Sequence, residues 1–342
     1  MNPTGAPATM PDLSCYTTNL LAHLAPDVPG VRRRFAEGVR LAVRLDLPPG
    51  ELAFSHHPRL DRTGDGRELA YRGAAGWPAA RAALHDTLHR ERRVLAAGNT
   101  RHLPWAAAHG RADAPHWLLI HEHRAGRWRV ADHFTALTPY GDQEPFHGWL
   151  DDAGLAAALA PVPDPPPEVV RRDRFALGQE TPLPPAGQYR WLTWQAAPPD
   201  ADAHADGAAA PGPGTWSLGL ETSLAAIAGV LRTDATALAR YADDLWAAAR
   251  HHAYALAFAV ADGRLHPESA AAVSAAWGEL PRTLRFAAQS AARGRPRPGV
   301  VDRAVEHLLS ARQALGADLT PERTIMERTP RDTGGPEDGE HR

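Results

Sequence analysis

Past Gly214 the hydrophobic period of the chain changes, and that change limits the possible folds more than any other feature. Upstream, HWLLIHEHR (His116 to Arg124), a turn at Ala125-Gly126 and RWRVADHF (Arg127 to Phe134) form two apolar-rich runs about a short Gly-containing turn. That is the signature of an antiparallel hairpin. Downstream, long Ala/Leu runs predict helices near Leu218–Leu231, Ala235–Ala261, Pro267–Ala292 and Val300–Leu315. Gly263 and the RGRPRP run at Arg293–Pro298 punctuate them. The expected fold class is therefore α+β, a mixed amino-terminal half followed by a helical carboxy-terminal half.

Other segments refine this plan. Asp12 or Ser14 can cap a helix carrying Leu20, Leu21 and Leu24 at helical spacing. A second helix is expected within Gly30–Leu45, loops around short strands over Pro58–Gly76, and a third helix over Trp77–Ala97 with Leu84, Leu88 and Leu95 on one stripe. PVPDPPP at Pro161–Pro167 cannot be regular structure, because proline removes donors and fixes φ. Ala201–Gly214 is a low-complexity linker. The expected organisation is a mixed region over 1–160, a Pro/Ala/Gly-rich connector with short strands over 161–214, a helical bundle over 215–318 and a disordered tail over 319–342.

Composition removes several functions. The chain has 342 residues and a formal net charge of −3, without the basic excess of a nucleic-acid binder. It contains no lysine, so Schiff-base chemistry on lysine and a Walker A lysine are excluded. Its single cysteine, Cys15, excludes an intramolecular disulfide and zinc sites built on several thiolates. No stretch approaches the roughly 18 apolar residues that span a bilayer, and MNPTGAPATM has neither the basic nor the apolar region of a signal peptide. A cytoplasmic protein bound to neither membrane nor nucleic acid is expected.

Three residues are arranged for nucleophilic chemistry. A lone cysteine is usually a small hydrophobe. Cys15, however, opens a predicted helix, where free backbone N–H groups and the helix dipole favour a thiolate. His116 opens the first hairpin strand and Asp132 closes the second, so the hairpin brings them together. The carboxylate can then fix the imidazole tautomer and stabilise its charged form. Nucleophile, base and orienting acid are the parts that covalent acyl transfer requires. By strict alternation His116 shares a face with Leu118 and Ile120, and His121 and His123 point the other way. A metal site is the competing reading of the paired histidines His56-His57 and His251-His252, but no HExxH motif or other ligand spacing marks one out.

The order of these motifs resembles papain-like folds of the bacteriocin-processing peptidase type. It is most similar to the butirosin biosynthesis protein H amino-terminal family and related petrobactin synthase-like proteins. The resemblance rests on Cys15 at a helix start, His102-Leu103-Pro104-Trp105, Pro115-His116 and Val130-Ala131-Asp132, and covers about Asp12 to Asp132. It implies a papain-like amino-terminal region and a Cys15/His116/Asp132 triad. The activity it implies is transfer of an acyl group from a carrier-protein thioester to an amine, in secondary-metabolite or siderophore biosynthesis. The implied partners are an acyl carrier protein and a small-molecule amine, with no cofactor and no metal. Tyr16, Asn19 and Trp105 are the expected substrate contacts, and Trp105, Trp128 and Trp149 are candidates to line a deep pocket. A cysteine peptidase or amide hydrolase of the same fold, and a non-catalytic carrier-binding module, remain as alternatives. In the last case Trp277, Leu280 and Phe286 would form an exposed stripe on the helical half.

Overall fold

The computed structural model describes residues 10–198 and 210–318, so the expected tail and most of the linker at Ala201–Gly214 lie outside the described residues. In chain order the elements begin with α1 (Cys15–Leu24), α2 (Val31–Gly38), β1 (Ala42–Arg44), β2 (Phe54–Ser55), β3 (Arg67–Ala74), α3 (Trp77–Glu91) and β4 (Val94–Asn99). Next come β5 (Pro115–Arg124), β6 (Arg127–Asp132), β7 (Ala136–Thr138), β8 (Gly141–Gln143), β9 (Phe146–Asp151), α4 (Asp152–Ala158), α5 (Pro167–Phe175) and β10 (Tyr189–Ala196). The chain closes with β11 (Trp216–Ser217), α6 (Leu220–Thr233), α7 (Ala237–Arg240), α8 (Ala242–Ala261), α9 (Pro267–Ala292) and α10 (Pro298–Asp318). The fold is α+β.

A six-stranded antiparallel sheet, ordered β3-β10-β4-β5-β6-β9, forms the centre of the mixed half. Alternation along its strands feeds two cores. Leu95, Trp117, Leu119 and Leu192 pack with Leu20, Leu21 and Phe35 of α1 and α2. The intervening Val94, Leu118, Ile120 and Trp191 pack with Leu84 of α3 and Leu155 of α4. A third core joins β1 and β2 to α6 through α10.

The hairpin forms as expected. Ala125 and Gly126 take positive φ (50° and 72°), the pair of left-handed residues that matches the twist of flanking strands. Other boundaries move for physical reasons. The segment Gly30–Leu45 is not one helix: α2 stops at Gly38, where a Cβ would sit 2.7 Å from Pro58 Cδ, and the following Ala-Val-Arg pairs as β1. The third helix ends at Glu91, because Arg92 turns left-handed at φ 64° and Leu95 belongs to β4. The stretch 161–214 carries α5 and the eight-residue β10, which is an interior strand of the sheet. Of the stripe Trp277, Leu280 and Phe286, the first two are buried in the helical core and only Phe286 is exposed. No described helix is long and apolar enough to cross a membrane.

A close approach fixes the sheet beneath the site. Gly98 pairs with His116, and a Cβ at Gly98 would lie 2.8 Å from the Ala158 carbonyl oxygen and 3.3 Å from Leu118 Cδ2. Neither backbone nor packed core can yield cheaply. Gly98→Ala is expected to lower unfolding stability by about 1–3 kcal/mol, read as a lower urea midpoint at unchanged slope; an unchanged midpoint would contradict this packing.

Candidate active site

Ser14 caps α1 by accepting from the Thr17 amide (3.4 Å) and donates its hydroxyl to Thr17 Oγ1 (3.1 Å). Cys15 is thus the first helical residue, at the positive end of the helix dipole. The early amides of a helix have no intrahelical acceptor, so those of Cys15 and Tyr16 stay available.

The sheet brings the other two groups to this helix end. His116 and Asp132 are both buried, with His116 Nε2 2.7 Å from Asp132 Oδ2. Cys15 and His116 line the same cavity, close enough for the charge on Cys15 to raise the imidazole, and since Nε2 faces the acid, Nδ1 is left for the sulfur. All three residues picked from the sequence therefore meet. Asp132 is held by four donors: His116, Trp105 Nε1 (2.9 Å), Asn19 Nδ2 (3.1 Å) and the Phe134 amide (3.0 Å).

Electrostatics follow from this packing. Burial alone would lower the His116 imidazole, but the charges of Asp132 and Cys15 outweigh it and push it up to about 10. Burial also works against the Asp132 carboxylate, yet His116 and its amide and indole donors hold it below the ordinary range. Because the His116 value in the fold exceeds its usual 6.5, its protonation contributes stability that is fully present below pH 6.5 and lost as pH rises through about 10, whereas the contribution of the depressed Asp132 carboxylate is lost on acidification.

The expected substrate contacts occupy different places. Tyr16 lines the cavity beside Cys15, but it is buried, stacks on Trp117 at 4.7 Å and donates its hydroxyl to Asp173. Asn19 and Trp105 bond to Asp132 and are absent from the cavity wall. Trp105 stacks on Phe146 at 4.0 Å, and Trp128 is buried with its indole N–H on Asp152 (2.6 Å), so neither they nor Trp149 line the pocket. The tryptophan that does is Trp246 of α8. His121 is exposed, but His123 is not on the opposite face: a bulge between Ile120 and Glu122 restores it to the α3 side, 4.2 Å from Trp128. The extra residue breaks strict alternation.

The cavity over Cys15 has a volume of about 500 Å³, within the range of small-molecule sites. One wall comes from α8 of the helical half. Its His251 places Nε2 3.0 Å from Thr17 Oγ1 and 3.3 Å from Ser14 Oγ, bracing the start of α1. Its neighbour Arg250 bonds the carbonyls of Asp12 (2.8 Å) and Thr135 (3.0 Å), tying down the segments before Cys15 and after Asp132. Burial, reinforced by His56 and His57, holds His251 well below the usual histidine value, so it is neutral. Nothing local in the sequence announced these contacts, which join positions more than a hundred residues apart. Among the described residues no group of three or more His, Cys, Asp or Glu side chains is arranged to hold a metal ion.

No protein-family profile matches the chain, and no curated protein is significantly similar to it.

The site makes a spectroscopic prediction. In a proton NMR titration the His116 ring is expected to remain imidazolium at pH 8 and to lose its proton near pH 10, while His56 and His57 stay neutral down to about pH 4. Asp132→Asn removes the main raising charge and should bring the His116 midpoint down by more than about one unit. A wild-type midpoint near 6.5 would contradict the pairing.

Proposed function

We propose that this chain is a cysteine-dependent acyltransferase of papain-like architecture that moves an acyl group from a carrier-protein thioester, through Cys15, to an amine. The observation that carries the reading is the single thiol of the chain, set at a helix start in one cavity with a buried imidazole that Asp132 pairs at 2.7 Å. Structural ion pairs also raise histidines, but they do not bring a thiol and a helix N-terminus to the mouth of a cavity.

In the first half-reaction the Cys15 thiolate attacks the thioester carbonyl carbon. The oxyanion meets the free amides at the start of α1, since no glutamine precedes Cys15 and the Ser14 hydroxyl is engaged in capping. The bond from carbon to the carrier sulfur breaks, and the departing thiolate takes the His116 proton. Cys15 now carries the acyl group and His116 is neutral. In the second half, the amine nitrogen attacks this new thioester, His116 accepts the amine proton, and Cys15 leaves as thiolate. The products are an amide and the starting thiolate–imidazolium pair.

Asp132 keeps the required tautomer, and Asn19 and Trp105 keep Asp132 in place. Enclosure of the cavity by α8 and α9 favours amine over water at the acyl-enzyme. A hydrolase of the same site would run the same first half and end on water.

The test is the rate of Cys15 acylation by a carrier-bound thioester, followed by intact mass. Cys15→Ala should give no adduct. Asp132→Asn should slow acylation by about 10⁴ while keeping the fold, because a triad without its orienting acid holds the wrong tautomer. His116→Ala should cost as much, and the double variant little more, since the groups act as a unit. An adduct in Cys15→Ala, or a wild-type rate in Asp132→Asn, would overturn the mechanism.

A further inference from the structure

The charges around the cavity are distributed unevenly, and that distribution bears on what enters it. Its buried interior is walled by Phe54, Phe134, Phe175 and Leu238, all under a tenth exposed. Every ionisable group in that interior is neutral or already paired within the wall. Arg172 makes a two-pronged bond to buried Asp244 (2.9 and 2.8 Å). His56, His57 and His251 are kept neutral, chiefly by burial. Asp243, which also pairs with Arg172 (3.7 Å), and Arg285 are exposed, as is Leu137 of β7 at 74%. Among the described residues, the charge within the interior is already paired.

We propose that the chamber behind Cys15 is an acyl-chain site that selects an uncharged, largely hydrocarbon acyl group. This rests on the acyl-transfer reading above and adds the substrate class to it. A carboxylate or ammonium brought inside would lose its hydration and find no free counter-charge, a cost that an alkyl or aryl chain avoids. An alkyl chain gains from the apolar wall with each methylene it buries. Length is limited by α8, which presents positions 242, 243, 246, 247 and 251 to the cavity. Ala242 and Ala247 are the small residues of that face, so they set how far a chain extends past Trp246. A larger side chain at either would fill space that the acyl group uses.

The experiment measures Cys15 acylation by N-acetylcysteamine thioesters, which need no carrier protein, with intact mass as the readout. From acetyl through hexanoyl to octanoyl the rate constant per unit concentration should rise, by about fourfold per methylene, until the chamber is full. Adipoyl thioester, of hexanoyl length with a terminal carboxylate, should react at least about tenfold more slowly than hexanoyl. Ala247→Phe, and independently Ala242→Phe, should reduce the octanoyl-to-acetyl rate ratio by about tenfold, a ratio that cancels any general loss of active protein. Acylation indifferent to length, or faster with adipoyl, would overturn the acyl-chain site while leaving the acyl-enzyme intact. If no thioester of any length modifies Cys15, the acyl-transfer reading falls and this proposal falls with it.

Discussion

The Asn19 side-chain amide sits where helix and sheet must agree. It is fully buried, one turn after Cys15, and its Nδ2 shares two N–H groups among the Trp117 carbonyl (2.7 Å), the Cys15 carbonyl (3.1 Å) and Asp132 Oδ1 (3.1 Å). Its Oδ1 accepts from the His133 amide (3.0 Å). One side chain therefore fixes the start of α1 against β5 and against the end of β6. Those are the elements that carry Cys15, His116 and Asp132. Buried polar groups of this kind cost about 1–3 kcal/mol each when left unpaired, so a shift of α1 along the sheet would strand several at once. That penalty helps hold Cys15, His116 and Asp132 in place.

A second set of restraints comes from the helical half. Arg250 and His251, neighbours on α8, reach the carbonyls and hydroxyls on either side of the triad. The same helix provides Trp246 and Ala247 to the cavity wall. One helix thus both braces the start of α1 and shapes the space above Cys15. His251 suits the first role because burial denies it a charge: a neutral ring can accept the Thr17 hydroxyl at Nε2, which an imidazolium could not. The uneven charge of the two histidine environments has one origin. His116 has a carboxylate at 2.7 Å to oppose burial, whereas the ionisable neighbours acting on His251, namely His56, His57, His252 and Arg250, all lower it further.

What was legible in the sequence divides along the range of the interactions involved. Ser14 and Cys15 are a local capping pattern, and His116 and Asp132 are related by a hairpin whose turn residues declare themselves, so the triad could be assembled from short-range signals. The same holds for α9, whose bounds match the expected run from Pro267 to Ala292. Long-range effects were hidden. The bulge after Ile120 arises from pairing and moved His123 to the other face. Strand β10 lies between β3 and β4, though its paired positions are more than 90 residues from β4 and more than 110 from β3, and its Pro-rich approach reads as a connector. Asn19 and Trp105 were expected to contact substrate, but the three-dimensional arrangement puts them outside the cavity wall, bonding Asp132. Tryptophan lining was misassigned for a related reason: Trp128 had to satisfy its indole N–H on Asp152, and Trp246 was one of several aromatics in an alanine-rich helix.

The central claim is that an acyl group rests on Cys15 and leaves it for an amine. Its most direct test is to form the adduct from a thioester, remove excess reagent, and follow the mass of the protein with and without a primary amine. The account predicts an adduct on the peptide containing Cys15 that persists in buffer and disappears with amine, releasing one equivalent of amide. Loss at the same rate in buffer alone, with free acid as the product, would contradict transfer and identify a hydrolase.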